Sequence, residues 1–384
     1  MDIESFISPH LRQMQPYTPI VPFEALSKQL GRDPSEIVKL DANENLYGPS
    51  PRALEAIARC GALHIYPDPD QTALREAIAD YINLPAAHIL CGAGADEIID
   101  IVGRAFVQPG DAVIDLPPTF GMYRFESDIV NASYVPIARR SDFSIDVEAV
   151  RTAVLRSASQ GRRAKLVFVA NPNNPDGSVV SDDDVRRLLD LPALVALDEA
   201  YIDFSDQPSR AGWVRDYDNL VVLRTFSKLA GLAGLRVGYG VFPLKIIQHL
   251  WKIKQPYTPN VAASVAAIAA LSDRDYLRDS VQRIVAERER LRALLQEPGW
   301  LRVYPSQTNF LLCRIDAAQA PGALRAAEAP PGRQLKLALQ RRGILVRYFD
   351  KDGLRDCVRV SVGKPEHTDA LMAALRDMAR DSGS

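Results

Sequence analysis

Between about residues 110 and 225 the chain alternates short, wholly apolar runs with longer stretches whose apolar positions recur every three or four residues. The runs are 112–116 (AVIDL), 166–170 (LVFVA), 194–197 (LVAL) and 220–224 (LVVLR). Runs this short, with no polar alternation, predict strands covered on both faces, and the helical intervals predict crossovers, so the expected element is a largely parallel sheet between two helical layers. Each run stops at polar or Gly/Pro-rich residues, and in open parallel sheets ligands sit where strands end and loops begin.

From about residue 275 the pattern changes. A long charged helical stretch (DSVQRIVAERERLRALLQ) precedes three strand-like segments, VYPSQTNFLLCRI, GILVRYF and CVRVSVG, and a closing helix, PEHTDALMAALRDMA. The fold class expected is therefore α/β, a large three-layer domain with a mostly parallel sheet plus a smaller α/β domain. The boundaries expected are 46–272 for the large domain, and 1–45 together with 273–384 for the small domain and an N-terminal arm. The first 45 residues or so are expected to lie against the small lobe, and 317–331 to be an Ala/Pro-rich surface insert.

At 384 residues and 47% hydrophobic content the chain can bury enough core for two packed lobes. Its 46 basic and 48 acidic side chains leave a formal charge of −2, so no sequence-independent attraction to nucleic acid or anionic lipid is expected, and a small-molecule ligand is favoured. Cys60, Cys91, Cys313 and Cys357 are too scattered for a disulfide or zinc framework and read as reduced and mostly buried; no metal site is expected. The first residues lack the apolar run of at least ~7 residues of a signal peptide. The longest apolar stretch, 261–271, is well short of the ~20 residues that span a bilayer. A cytoplasmic protein follows.

Four segments carry candidate chemistry. In RTFSKLAGLAGLRVGYG a buried strand ends beside hydroxyls, Lys228 follows, and glycines lead to Arg236; an amine there suits covalent attachment to a carbonyl next to a phosphate, the alternative being a surface lysine. In LVALDEAYIDF, Asp198 ends an apolar strand with Tyr201 three residues on. A buried carboxylate needs a partner such as a protonated pyridine nitrogen; a metal-binding or capping Asp is the alternative, although the chain has no GxxxxGK[ST] loop. Asn174, in the proline-stiffened VFVANPNNPDG, can present an amide or simply belong to a turn. In ILCGAGADEIIDIVGRAFV, glycines precede a helix whose free N-terminal amides suit phosphate. The third glycine of a dinucleotide fingerprint is missing, and Asp96 can equally be a cap.

The order and intervals of these pieces, with YPDPD, GADE, PTFGMY, NPNNPDG, DEAYIDF, GILVRYF and CVRVSVG, resemble the fold-type I, class I/II aminotransferases over nearly the whole chain, and within them the branch whose amino donor is histidinol phosphate. The resemblance implies a pyridoxal 5'-phosphate cofactor bound covalently to Lys228. Asp198 would pair with the ring nitrogen, Asn174 and Tyr201 would bond the phenolic oxygen, and Phe120 would stack on the ring. Ala95, Asp96, Thr225, Ser227 and Arg236 would hold the phosphate. Tyr66 matches a tyrosine lent to the neighbouring subunit's phosphate, which implies a homodimer.

In the second lobe, Arg347 and Arg359 interrupt apolar strands, and a buried guanidinium wants an anion. By resemblance Arg359 clamps a carboxylate, while Arg347 and Tyr17 contact the donor's phosphate, with glutamate and 2-oxoglutarate as the other substrate pair. Relatives acting on aromatic amino acids, or decarboxylating threonine phosphate, share this constellation. Asp176 replaces the threonine usual in the family's Asn-Pro-Thr-Gly loop, so a changed turn contact is expected; Phe120 replaces the commoner tyrosine. A cofactor-dependent transcriptional sensor lacks room for a DNA-binding module before residue 45, and a nicotinamide dehydrogenase leaves Lys228 without a role.

Overall fold

Each of the four apolar runs contributes a buried strand in the computed structural model, which describes residues 2–17, 23–159, 161–325 and 329–381. Along the chain the strands are β1 (Val38–Leu40), β2 (Ile89–Gly92), β3 (Ala112–Asp115), β4 (Ser133–Pro136), β5 (Ala164–Ala170) and β6 (Leu194–Asp198). They continue as β7 (Leu220–Thr225), β8 (Gly238–Val241), β9 (Leu301–Val303), β10 (Phe310–Ile315), β11 (Ile344–Tyr348) and β12 (Cys357–Ser361). A seven-stranded sheet has the order β2-β8-β7-β6-β5-β3-β4. Within it β8 runs antiparallel to both neighbours and the other pairings are parallel.

Alternation along the central strands splits the core in two. Val167, Val169, Val195, Leu197 and Val222 face one helical layer, and Leu166, Phe168, Ala196, Val221 and Leu223 face the other. A Val or Leu buried this completely stabilises the fold by roughly 1.5–3 kcal/mol, so the unbroken apolar sequence of these strands is explained by cover on both sides.

The second sheet has the order β1-β11-β12-β10-β9; only β1 and β11 pair in parallel. Its apolar face, including Leu311, Cys313, Val346 and Val360, packs with Ile284 and Leu291 of the helix Arg274–Gln296 and Leu371 and Leu375 of the helix Pro365–Asp381. Pairing of β11 with β12 puts Arg347 opposite Arg359.

Two expectations need correcting. The N-terminal segment divides between the lobes: β1 joins the second sheet, but the helix Pro9–Gln13 lies on the helix Met122–Ile129 of the first lobe. There His10 Nε2 is 3.2 Å from the Ile129 carbonyl oxygen, and Tyr17 stands edge-on to Phe125 at 6.0 Å. Residues 317–331 are not simply a surface insert, because Ala320 and Leu324 are buried in the second core and give the segment an apolar anchor. Residues 326–328 of that insert, and 18–22 of the N-terminal arm, lie outside the described residues.

Candidate active site

The strand ends Ala170, Asp198 and Thr225 meet at one edge of the large sheet, around a cavity of about 130 Å³. Asp198 closes its floor at 6% exposure. One carboxylate oxygen accepts the Tyr123 hydroxyl at 2.6 Å and the other the Ala200 amide at 2.9 Å. Burial raises the pKa of Asp198 despite these bonds, so a cation placed against it would be strongly favoured. Tyr123 is fixed in turn by stacking on Phe168, with ring centroids 4.6 Å apart and planes 6° from parallel.

Lys228 follows β7, and its amine faces the same cavity, with a single long bond of 3.4 Å to the Ala42 carbonyl. The surface it exposes opens into this cavity, where its neighbours keep the amine poorly solvated. Burial, and after it the charge of Arg359, pulls the amine down to about 8. A surface lysine has no such environment.

At the phosphate end, Gly94 precedes the helix Ala95–Phe106, whose first amides have no side-chain cap. Gly94 adopts φ +85°, and a Cβ there would lie 2.5 Å from an Arg236 terminal nitrogen; a Cβ on Gly238 would lie 2.5 Å from the Ala95 nitrogen. Glycine at both positions brings Arg236 and the helix start against one another. Glu97 bonds the Ala93 amide and accepts the Thr258 hydroxyl at 3.0 Å, which fixes the turn. Thr225 Oγ1 donates to Ser227 Oγ at 3.0 Å, and both side chains line the cavity with Ala95 and Arg236. The resemblance implies a phosphate contact for Asp96; its carboxylate forms a 2.7 Å ion pair with Arg236.

Phe120, Asn174, Tyr201 and Lys228 also line a second cavity of about 850 Å³, which opens towards the small lobe past Arg359, Arg347 and Tyr17. Arg359 donates to Asn174 Oδ1 at 2.6 Å and to the Asp41 carbonyl at 2.8 Å, while its buried Nε has no partner. Burial, with Arg347 among its neighbours, brings Arg359 down to about 10. Among the described residues Arg347 makes only a contact with the Phe349 ring, 5.7 Å to the centroid. Tyr201 accepts from Asn43 Nδ2 at 3.0 Å.

The structure thus brings the predicted residues together except Tyr66, which lines neither cavity. It is 77% exposed and stacks on Tyr257 at 4.4 Å. Tyr123 and Asn43 were not anticipated. The spacing of Phe120 and Tyr123 around a helix start held a hint of the first; the positive φ of Asn43, +55°, is hinted at only by the turn-prone LDANEN. Asp176 makes the changed turn contact: it is buried, bonds the Asn173 amide and accepts the Ser178 amide at 2.8 Å. Asn173 Oδ1 accepts the Thr119 hydroxyl at 2.8 Å, so the segments carrying Asn174 and Phe120 are tied together.

Among the described residues no group of three or more His, Cys, Asp or Glu side chains is placed to hold a metal ion, and no helix is long and apolar enough to cross a membrane.

Comparison with known proteins agrees with this geometry. Residues 35–375 match the model of the family "Aminotransferase class I and II". A histidinol-phosphate aminotransferase of Roseiflexus castenholzii is 50% identical over 382 residues, 98% of this chain and 99% of that protein. The chloroplastic histidinol-phosphate aminotransferase 1 of Arabidopsis thaliana is 49% identical over 373 residues, 97% of this chain and 86% of its own length. The crystal structure of histidinol-phosphate aminotransferase from Sinorhizobium meliloti, in complex with pyridoxal-5'-phosphate, superposes with a TM-score of 0.86 at 30% identity, covering 98% of both chains. With its sequence matched almost from end to end and its strand-end cavity built around Lys228 and Asp198, the chain belongs to the class I and II aminotransferases.

Proposed function

We propose that this chain transfers the amino group of histidinol phosphate to 2-oxoglutarate, a step of histidine biosynthesis, using pyridoxal 5'-phosphate. The observation that carries the reading is the pair Arg347 and Arg359, side by side on β11 and β12 and facing the cavity that holds the Lys228 amine. An amino donor bearing a phosphate in place of the usual carboxylate calls for this concentration of positive charge.

The residues fit the cofactor. Asp198 is a buried carboxylate suited to a ring-nitrogen cation, and Lys228 is a buried amine without an acidic partner. The uncapped helix start beside Arg236 suits a phosphate, whose charge would compete with Asp96 for the guanidinium. When bound, pyridoxal phosphate supplies an aldehyde to receive the amino group and a ring that takes up the electrons released at the α-carbon.

The protein's part follows from its own groups. Asp198, held by Tyr123 and Ala200, keeps a proton on the ring nitrogen. Asn174, whose carbonyl is committed to Arg359, has its amide nitrogen left for the phenolic oxygen, and Tyr201, already accepting from Asn43, donates its hydroxyl there. Phe120 covers a ring face. Lys228 Nζ, as a free amine, would be the base that takes the donor's α-proton, for which a lysine held near 8 is well matched to neutral pH. Arg359 serves the carboxylate of glutamate in one half-reaction and, with Arg347 and Tyr17, the donor phosphate in the other.

The same reading places Tyr66 in the active site of a second copy, giving a homodimer. Its exposure, shared with Leu63 and Ile65, supports this; a monomer in sedimentation at assay concentration would remove it. A cytoplasmic location is also part of the proposal, supported by four unpaired cysteines; the Arabidopsis relative is, by its name, chloroplastic.

The decisive test mixes the cofactor-loaded protein with one donor at a time and follows the cofactor's visible band. Histidinol phosphate should convert it at low concentration, whereas phenylalanine and threonine phosphate should not. Conversion by phenylalanine alone would move the substrate to aromatic amino acids and overturn the assignment.

A further inference from the structure

We propose that the ammonium group of Lys351 is a third cationic contact for the phosphate of the amino donor, beside Arg347 and Arg359, reaching it from the loop that joins β11 to β12. This inference rests on the histidinol phosphate reading and adds a residue that the sequence did not point to.

Lys351 lines the large cavity with Arg347, Tyr17 and Arg359. Although exposed, it stands at the cavity's rim. A Cβ built on Gly121, at the rim of the large lobe, would lie 3.9 Å from Lys351 Nζ and 3.8 Å from the Tyr17 ring edge. An amine on the small lobe and an aromatic ring of the N-terminal arm therefore converge on one point of the opposite wall, where the side chain missing from Gly121 leaves room.

The acidic residues of the loop do not neutralise this amine. Asp350 accepts from Arg355 at 3.1 Å and is 3.4 Å from the Tyr348 hydroxyl, and Asp352 is 3.6 Å from Arg355. Asp128, which also lines the cavity, is bound to Arg124 at 2.7 Å. The buried Asp115 feels the Lys351 charge, but its carboxylate is already bonded to the Tyr134 hydroxyl at 2.7 Å. Lys351 itself has no hydrogen bond or ion pair among the described residues. Arg347, four positions earlier, is in the same condition apart from its ring contact.

The chemistry of the ligand supplies the reason. A phosphate monoester carries about −1.5 to −2 charges near neutral pH and three acceptor oxygens. Two guanidinium groups, one of them shared with the glutamate carboxylate and partly committed to Asn174 and Asp41, and one phenol satisfy part of that demand. A compact ammonium on a flexible stem suits the outer oxygens, because it can follow the phosphate while Arg347 supplies the fixed planar contact. A donor ending in a phenyl ring gives Lys351 nothing to bind, so the residue bears on specificity.

The test compares wild-type protein with Lys351→Met and Lys351→Arg in each half-reaction separately. For Lys351→Met, KM for histidinol phosphate should rise about tenfold with kcat changed less than about twofold, as expected for loss of one exposed charged contact. The loss should fall on histidinol phosphate and not on glutamate, should shrink as salt is added, and should be recovered largely by Lys351→Arg. An unchanged KM in Lys351→Met, with wild-type protein active on histidinol phosphate, overturns the Lys351 assignment alone. Equal losses for glutamate and histidinol phosphate overturn it too, because they mark a structural effect. Failure of wild-type protein to use histidinol phosphate overturns the functional reading beneath it.

Discussion

The two walls of the central cavity handle charge in opposite ways. On the large-lobe wall the charged groups other than Lys228 have protein partners: Asp198 has Tyr123 and the Ala200 amide, and Arg236 has Asp96. On the small-lobe wall, among the described residues, Arg359 is bonded to neutral oxygens only, and Arg347 and Lys351 have no acidic partner. A group that stays through every turnover can be met by a wall whose dipoles are already fixed. Two substrates that take turns, one with a phosphate and one with carboxylates, are better met by cations that the protein leaves uncommitted. Preorganisation and adaptability are thus divided between the lobes.

That division can be broken from either side. The largest effect is expected on the fixed wall. Asp198→Asn keeps the shape and the Tyr123 contact but removes the charge facing the ring nitrogen, so kcat should fall about a thousandfold. Because the cofactor serves both half-reactions, the fall should be alike for histidinol phosphate and glutamate in single-turnover measurements. A fall confined to one substrate would contradict the role given to this wall. On the adaptable wall, Arg347→Ala should raise KM for histidinol phosphate about thirtyfold while the glutamate half-reaction stays close to wild type. An unchanged KM would remove Arg347 from the phosphate site and leave the wall without its specificity argument.

The same contrast explains what the sequence made legible. Lys228, Asp198 and Asn174 stand at strand ends, and a strand end is readable because an apolar run stops there. The parallel sheet was legible for the same reason. Contacts made across the chain were not. Tyr123 meets Asp198 from 75 positions away, and Arg236 meets the Asp96 carboxylate across 140; nothing local in either segment announces the partner. The N-terminal arm was assigned to one lobe because its strand-forming part dominates the pattern, whereas the short helix Pro9–Gln13 and Tyr17 depend on a surface formed by residues over a hundred positions later. Residues 317–331 looked like a surface insert by composition, yet alanine and leucine can be anchors, and Ala320 and Leu324 are.

The walls meet at Lys228, and the smallest of the expected effects probes that junction. Its amine is held down to about 8, first by burial in the large lobe and then by the Arg359 charge across the cavity. Only the neutral amine can attack the cofactor aldehyde, so covalent uptake by cofactor-free protein should slow about tenfold per pH unit below that value and level off above it. At pH 7 roughly one amine in ten is neutral, against about one in several thousand for an unperturbed lysine. Arg359→Gln removes the cross-cavity charge but leaves the burial, so the midpoint should move upward while staying below the ordinary lysine value near ~10.4. Stopped-flow uptake measured between pH 6 and 10 reads both midpoints. A wild-type midpoint near that of free lysine would show the amine to be well solvated, and an unmoved midpoint in Arg359→Gln would mean that the two walls act independently.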